Sequence, residues 1–250
     1  YPLALHNTAA LQHQLFGVDI GLVLTAWTVA SAAVFLPVGL FVLVRRLVPD
    51  RPLAAGFTAL VVPFFAMFPY RPAAWSALTL IAAMALTPVV LVLVGKAADA
   101  EQRRFQSVVP ASLAVFGVIS THTSQLALLV VLVAVIEGET MWRNRHEFAV
   151  IRHRAVNLLF ASGIVVVLYV PSLLKLVSAA SERQVFAETA YLRFAEAIGA
   201  IVDFSFAMPG TQAALGALVV VGLWLAARDR TLVAWTLCLL ATVVLFLATV

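Results

Sequence analysis

Polar groups able to do chemistry are few in this chain, and they gather where long apolar runs are interrupted: His6, Asn7, His13, Asp19, Tyr70, Arg71, Thr121, His122 and Gln125. An imidazole near neutral pH can give or take a proton, and a guanidinium fork matches two oxygens of a phosphate. Such groups suit the binding of a phosphate or of sugar hydroxyls, with general acid or base work as a further use. His6, Arg71 and His122 are the candidate phosphate-binding residues, with Tyr1, Asn7, Tyr70 and Thr121 in support. Each has a plainer reading beside it. His6 suits an interfacial histidine bonded to a neighbouring loop, and Arg71, set between prolines, suits an arginine reaching lipid phosphate. His13 reads as structural. His146 and His153 lie among arginines, where contact with lipid head groups is expected before catalysis. Glu188, Glu196 and Asp203 read as the solvated face of a helix.

The elements that must position these residues follow from composition. With 63% hydrophobic and 11% charged residues, and a mean hydropathy of +1.04, the chain is expected to be an integral membrane protein. The expected fold class is all-α, a polytopic transmembrane bundle of about eight spans in one domain over residues 1–250. Apolar runs cover 20–44, with Pro37 inside, 53–68, 73–95, with Pro88 inside, 155–174, 211–227 and 231–250. The run 107–137 is too long for one span, and Ser120-Thr121-His122-Thr123-Ser124-Gln125 interrupts it, so two short spans joined by that hexapeptide are expected.

Residues 1–17 form a different kind of element. Starting the helix at Pro2 puts Ala4, Thr8, Leu11 and Leu15 on one face and His6, Asn7, Ala10, His13 and Gln14 on another, a split that suits a helix lying in the membrane interface. A second amphipathic pattern, Phe186, Ala190, Phe194, Ile198 and Ile201, runs through the polar stretch 175–209.

Charge sets the expected orientation. One set of loops holds Arg45, Arg46, Arg51, Lys96, Arg103, Arg104, Arg143, Arg145, Arg152, Arg154, Arg228 and Arg230; the other holds Arg71, Lys175, Arg183 and Arg193. Twelve against four fits cytoplasmic placement of the first set and requires the split of 107–137, because a single span there would move the Arg143 to Arg154 loop across the membrane. Residues 1–17, 69–72, 120–125 and 175–209 are then expected outside, in a multi-pass protein of the plasma (inner) membrane. Because the basic residues follow loop side, the net charge of +4 does not point to nucleic acid.

Several chemistries are excluded by missing signatures. A Gly-rich phosphate loop, His-Glu-x-x-His, a cysteine cluster and Gly-x-Ser-x-Gly are all absent. The single Cys238 rules out a disulfide within these residues. A first residue that is Tyr, and a last apolar run without a polar flank, lead us to expect part of a longer chain.

Tyr1-Pro2-x-x-x-His6, the run Leu11 to Phe16-Gly17, the span ending in Val44-Arg45-Arg46-Leu47-Val48-Pro49 and the short span ending at Pro69 together resemble the core of GT-C membrane glycosyltransferases. In that superfamily a Pro-containing juxtamembrane helix ending in Leu-Phe-Gly precedes a span closed by two basic residues and a short span ending in Pro. The Tyr-Pro-x-x-x-His form, the span from Trp75 to Pro88 and the Thr121-His122 turn look more like an actinobacterial branch with that architecture. The resemblance covers about residues 1–136. It implies transfer of a sugar from a polyprenyl-phosphate donor to a cell-envelope acceptor on the outer face, with the lipid bilayer as the other partner. It implies no certain cofactor and leaves a divalent cation as an option. The family's catalytic carboxylate belongs to a loop that would lie upstream of Tyr1; Asp19 follows Leu-Phe-Gly and does not match it. The alternatives are a non-catalytic lipid or glycolipid transport or scaffold protein of envelope assembly, and a membrane anchor for a further domain.

Overall fold

The computed structural model describes residues 4–61, 78–101, 104–123 and 125–182, with Ala217, Val221 and Trp224 beyond them. All regular elements among the described residues are helices: α1 (Ala4–Phe16), α2 (Ile20–Leu47), α3 (Pro52–Val61), α4 (Leu78–Asp99), α5 (Arg104–Thr121), α6 (Gln125–Arg143) and α7 (Phe148–Glu182). Four stretches are long and apolar enough to cross a membrane, namely α2, α4, α6 and Phe148–Pro171 of α7. The expected spans 211–227 and 231–250, the amphipathic pattern after residue 182 and the 62–68 end of the short span lie outside the described residues.

Lipid is the solvent this surface suits. Leu22, Val29 and Val34 of α2, Val130 of α6 and Leu159, Val166 and Val167 of α7 are all exposed. In water they would form an apolar surface far beyond the patches a soluble monomer shows. Helix α4 is the exception and sits at the centre, touching α2, α5, α6 and α7. It is apolar around most of its circumference and mostly covered, with Val89 and Lys96 exposed, which suits a central helix. Ala83, Val90, Leu91 and Val94 of α4 meet Val118 and Ile119 of α5 and Leu129 of α6 in the main core cluster.

Small residues set the close approaches, as expected where helices associate by packing rather than by leaving water. Gly39 of α2 lies against α4, where a Cβ would come within 3.1 Å of Val89 Cγ2 and 3.3 Å of Pro88 Cβ. Ser112 of α5 donates to the Val108 carbonyl at 2.8 Å and lies 3.2 Å from the Ala161 carbonyl of α7.

Helix α2 contains a π-segment, Ser31–Phe35, in which the Leu36 N–H reaches back to the Ser31 carbonyl. Pro37 explains it: the ring has no N–H to donate and crowds the preceding turn, and a widened turn just before it removes the clash while the helix continues. Pro37 thus leaves one continuous helix with a bulge just before it.

At one end of the bundle the helix ends are tied by charge. Arg46 of α2 and Arg154 of α7 both pair with Asp99 at the end of α4, and Arg154 also pairs with Glu137 of α6 through Nε at 3.1 Å. Arg154 and Glu137 are buried, while Asp99 is half exposed. Gly95 makes room for this brace, because a Cβ there would lie 2.7 Å from Arg46 Nε. Beside it the Asn157 amide nitrogen lies 3.0–3.2 Å from the carbonyls of Ala97, Ala98 and Ala100, and His153 Nε2 lies 2.6 Å from the Ala100 carbonyl. These donors meet carbonyls that the end of α4 leaves without helical partners.

Two expectations need correction. The basic loop expected over 141–154 is shorter: Arg152, His153 and Arg154 belong to α7, and Arg154 turns inward because Glu137 and Asp99 await it. Residues 175–182, expected as the start of an outer loop, continue α7. On α1 the stripe against the protein is Leu5 and Ala9, while Leu11 and Leu15, on the face that suits a membrane interface, are exposed. The small Ala9 lets the helix come close, which turns the larger leucines away.

Candidate functional site

The polar candidates among the described residues lie at the end of the bundle away from the arginine brace. Helix α1 leads into α2 through a tight connection. Gly17 ends α1 with φ +67°, a left-handed conformation that glycine adopts without penalty, and its N–H reaches the His13 carbonyl at 2.8 Å. His13 Nδ1 donates to the Val18 carbonyl at 2.7 Å, since a carbonyl can only accept. Asp19 caps α2, its carboxylate accepting from the Leu22 N–H at 3.0 Å. His13 and Asp19 are therefore occupied in holding the corner.

His6 and Asn7 are exposed on α1. The helix is held to α2 by Trp27 Nε1 donating to Gln12 Oε1 at 3.3 Å, and it also packs on α5. Between α1 and α2 lies an apolar cleft of about 610 Å³, walled by Phe16, Leu22, Trp27 and Phe35 with Gln12 at its edge.

Helix α5 ends at Thr121, and the polar hexapeptide does break the long apolar run as expected: α5 stops, His122 and Thr123 turn, and α6 starts at Gln125. Backbone bonds from His122 N to Val118 O, Gln125 N to His122 O and Leu126 N to Thr123 O tighten the turn. Thr121 spends its hydroxyl proton on the Gly117 carbonyl at 2.7 Å. His122 is half-buried, and burial lowers its pKa from the ordinary 6.5. Burial thus favours the neutral imidazole, which carries one N–H donor rather than a positive charge.

Gln125 anchors the turn from within. Its side chain is fully buried, its Oε1 lies 3.4 Å from Thr87 Oγ1 on α4, and its Nε2 has no partner among the described residues. Thr87 donates in turn to the Ala83 carbonyl at 2.9 Å, next to Pro88. The rise along α6 separates Gln125 from Glu137 by about 18 Å, so turn and brace occupy different depths.

The structure brings α1, with His6 and Asn7, against the helix that leads to Thr121 and His122. Arg71, Tyr70 and Tyr1 lie outside the described residues. No group of three or more His, Cys, Asp or Glu side chains is placed to hold a metal ion among the described residues. Thr87, and the pairing of Asp99 and Glu137 with Arg154, were not singled out from sequence. A lone carboxylate near the end of an apolar run was their only signal.

The family model described as a family of unknown function (DUF6541) matches residues 1–250, and the chain belongs to that family. No curated protein and no solved structure matches it.

Proposed function

We propose that this family member is a membrane glycosyltransferase-like protein that transfers a sugar from a polyprenyl-phosphate donor to a cell-envelope acceptor on the outer face. The inner membrane is its site, with residues 1–17, 69–72, 120–125 and 175–209 on the outer side. One observation carries it: α1, with exposed His6 and Asn7, packs on the helix that unwinds into Thr121 and His122. Unwound backbone within a membrane bundle is tolerated where protein covers it or where it lines a wet cavity, and polar side chains kept there by default mark a functional site. In this function His6, His122 and Arg71 hold the departing polyprenyl phosphate by hydrogen bonds and charge, and the base for the acceptor hydroxyl is a carboxylate that the GT-C resemblance puts upstream of Tyr1.

The resemblance of the motif order to GT-C enzymes supports the same reading. Retention of polyprenyl phosphate by the purified full-length protein, followed by native mass spectrometry, tests it. Wild type is expected to hold polyprenyl phosphate over a phospholipid of equal charge, and His6→Ala and His122→Ala to hold less. Equal retention of both lipids would remove the basis for the proposal. A transport or scaffold role would keep the lipid preference without any sugar transfer.

A further inference from the structure

We propose that the cavity at the arginine-rich end, between α2, α4, α6 and α7, binds the phosphodiester of an anionic phospholipid headgroup. The cavity is about 340 Å³ and is lined by Arg46, Asp99, Glu137, Thr140, Arg143 and Arg154, with two apolar neighbours. Its lining holds three guanidinium groups and two carboxylates, which leaves one positive charge.

The pairing pattern says which group carries that charge. Both carboxylates are taken by Arg46 and Arg154. Arg143 is left with Glu139, one turn back on the same helix and outside the cavity, at 2.9 Å. In that pair Arg143 is exposed and Glu139 half-buried, and an i, i+4 pair with an exposed member contributes little. A phosphodiester of charge minus one entering the cavity balances the lining and gives the Arg143 fork two oxygens.

The source of the phosphodiester is a lipid rather than free phosphate. Trp142 and Phe148, on either side of the Asn144 to Glu147 turn, are exposed, and Arg145 lies over the Trp142 ring at 5.2 Å. An exposed aromatic with a basic partner at a helix end marks headgroup depth. Arg45, Arg51, Lys96, Arg145 and Arg152 surround the same end against Asp50, Glu101 and Glu147, so anionic lipid is favoured over zwitterionic. The aromatic flank would contribute nothing to a bare ion.

Native mass spectrometry of the full-length protein, loaded with phosphatidylglycerol or phosphatidylcholine, tests the site. Arg143→Ala, which leaves the Arg154 brace intact, is expected to weaken phosphatidylglycerol binding about fivefold and leave phosphatidylcholine unchanged. Glu139→Gln, which frees Arg143, is expected to strengthen it. Unchanged lipid preference in both variants would overturn the proposal. So would displacement of phosphatidylglycerol by inorganic phosphate at equal concentration, which would identify a free-ion site.

Discussion

Thr87 of α4 and Gln125 of α6 meet at 3.4 Å in the interior of the bundle, and Gln125 is the first residue after the turn that carries His122. The single Thr87 hydroxyl proton goes to the Ala83 carbonyl at 2.9 Å, so the longer approach to Gln125 Oε1 is a polar contact rather than a full hydrogen bond. Its value is positional, because the fully buried Gln125 fixes the start of α6 beside the Thr87-Pro88 step. Gln125→Met removes both this contact and the unpartnered Nε2, so a stability change under about 1 kcal/mol is expected in thermal unfolding. Gln125→Glu places a carboxyl in the same dry site, and a fall in Tm clearly larger than that of Gln125→Met is expected.

Arg154 is the keystone of the charged end. Arg154→Met leaves Glu137 buried without its partner, and a loss of about 3–5 kcal/mol is expected. Adding Glu137→Met should recover most of it, since two apolar side chains fill the place of a buried pair at little cost. Denaturant unfolding of the two variants side by side checks this; a double variant no better than the single one would show that the pair does more than neutralise itself.

His122 makes stability depend on pH. Its pKa is lowered in the folded protein by burial, so the unfolded chain binds the proton more readily. The contribution is fully present above the unfolded value of about 6.5 and is lost as the pH falls below it toward the folded value. Tm measured from pH 7.5 to 5 should therefore fall less steeply in His122→Ala than in wild type. Parallel profiles would show that His122 does not contribute.

Gly39 permits the contact of α2 with α4. A larger residue meets Val89 and the buried Pro88, so Gly39→Leu is expected to cost about 1–3 kcal/mol. The loss would be read as a lower Tm.

Much of this was legible in the sequence, for reasons particular residues make plain. The polar hexapeptide around His122 stands out in an apolar run, so the break between α5 and α6 could be read directly. The alternation of charge puts Arg46 and the arginines from 143 to 154 on one side, and Arg46, Arg143 and Arg154 line one cavity. The pairing of Arg154 with Glu137 was not legible, because it depends on how α6 and α7 rotate about their axes. Nor was the central place of α4: a helix apolar around most of its circumference reads the same facing lipid as facing other helices. On α1 the contact stripe turned on the small Ala9, which pattern reading ranks below leucine.

The central claim is tested most directly by sugar transfer. Full-length protein in proteoliposomes would be given a panel of labelled polyprenyl-phosphate monosaccharides with envelope lipid as acceptor, and the labelled product measured for wild type, His6→Ala, Arg71→Ala and His122→Ala. Transfer by wild type, with losses on the order of 100-fold in variants that keep the wild-type Tm, is the predicted result. Transfer that survives all three substitutions undiminished, or no transfer from any donor in the panel, would contradict it.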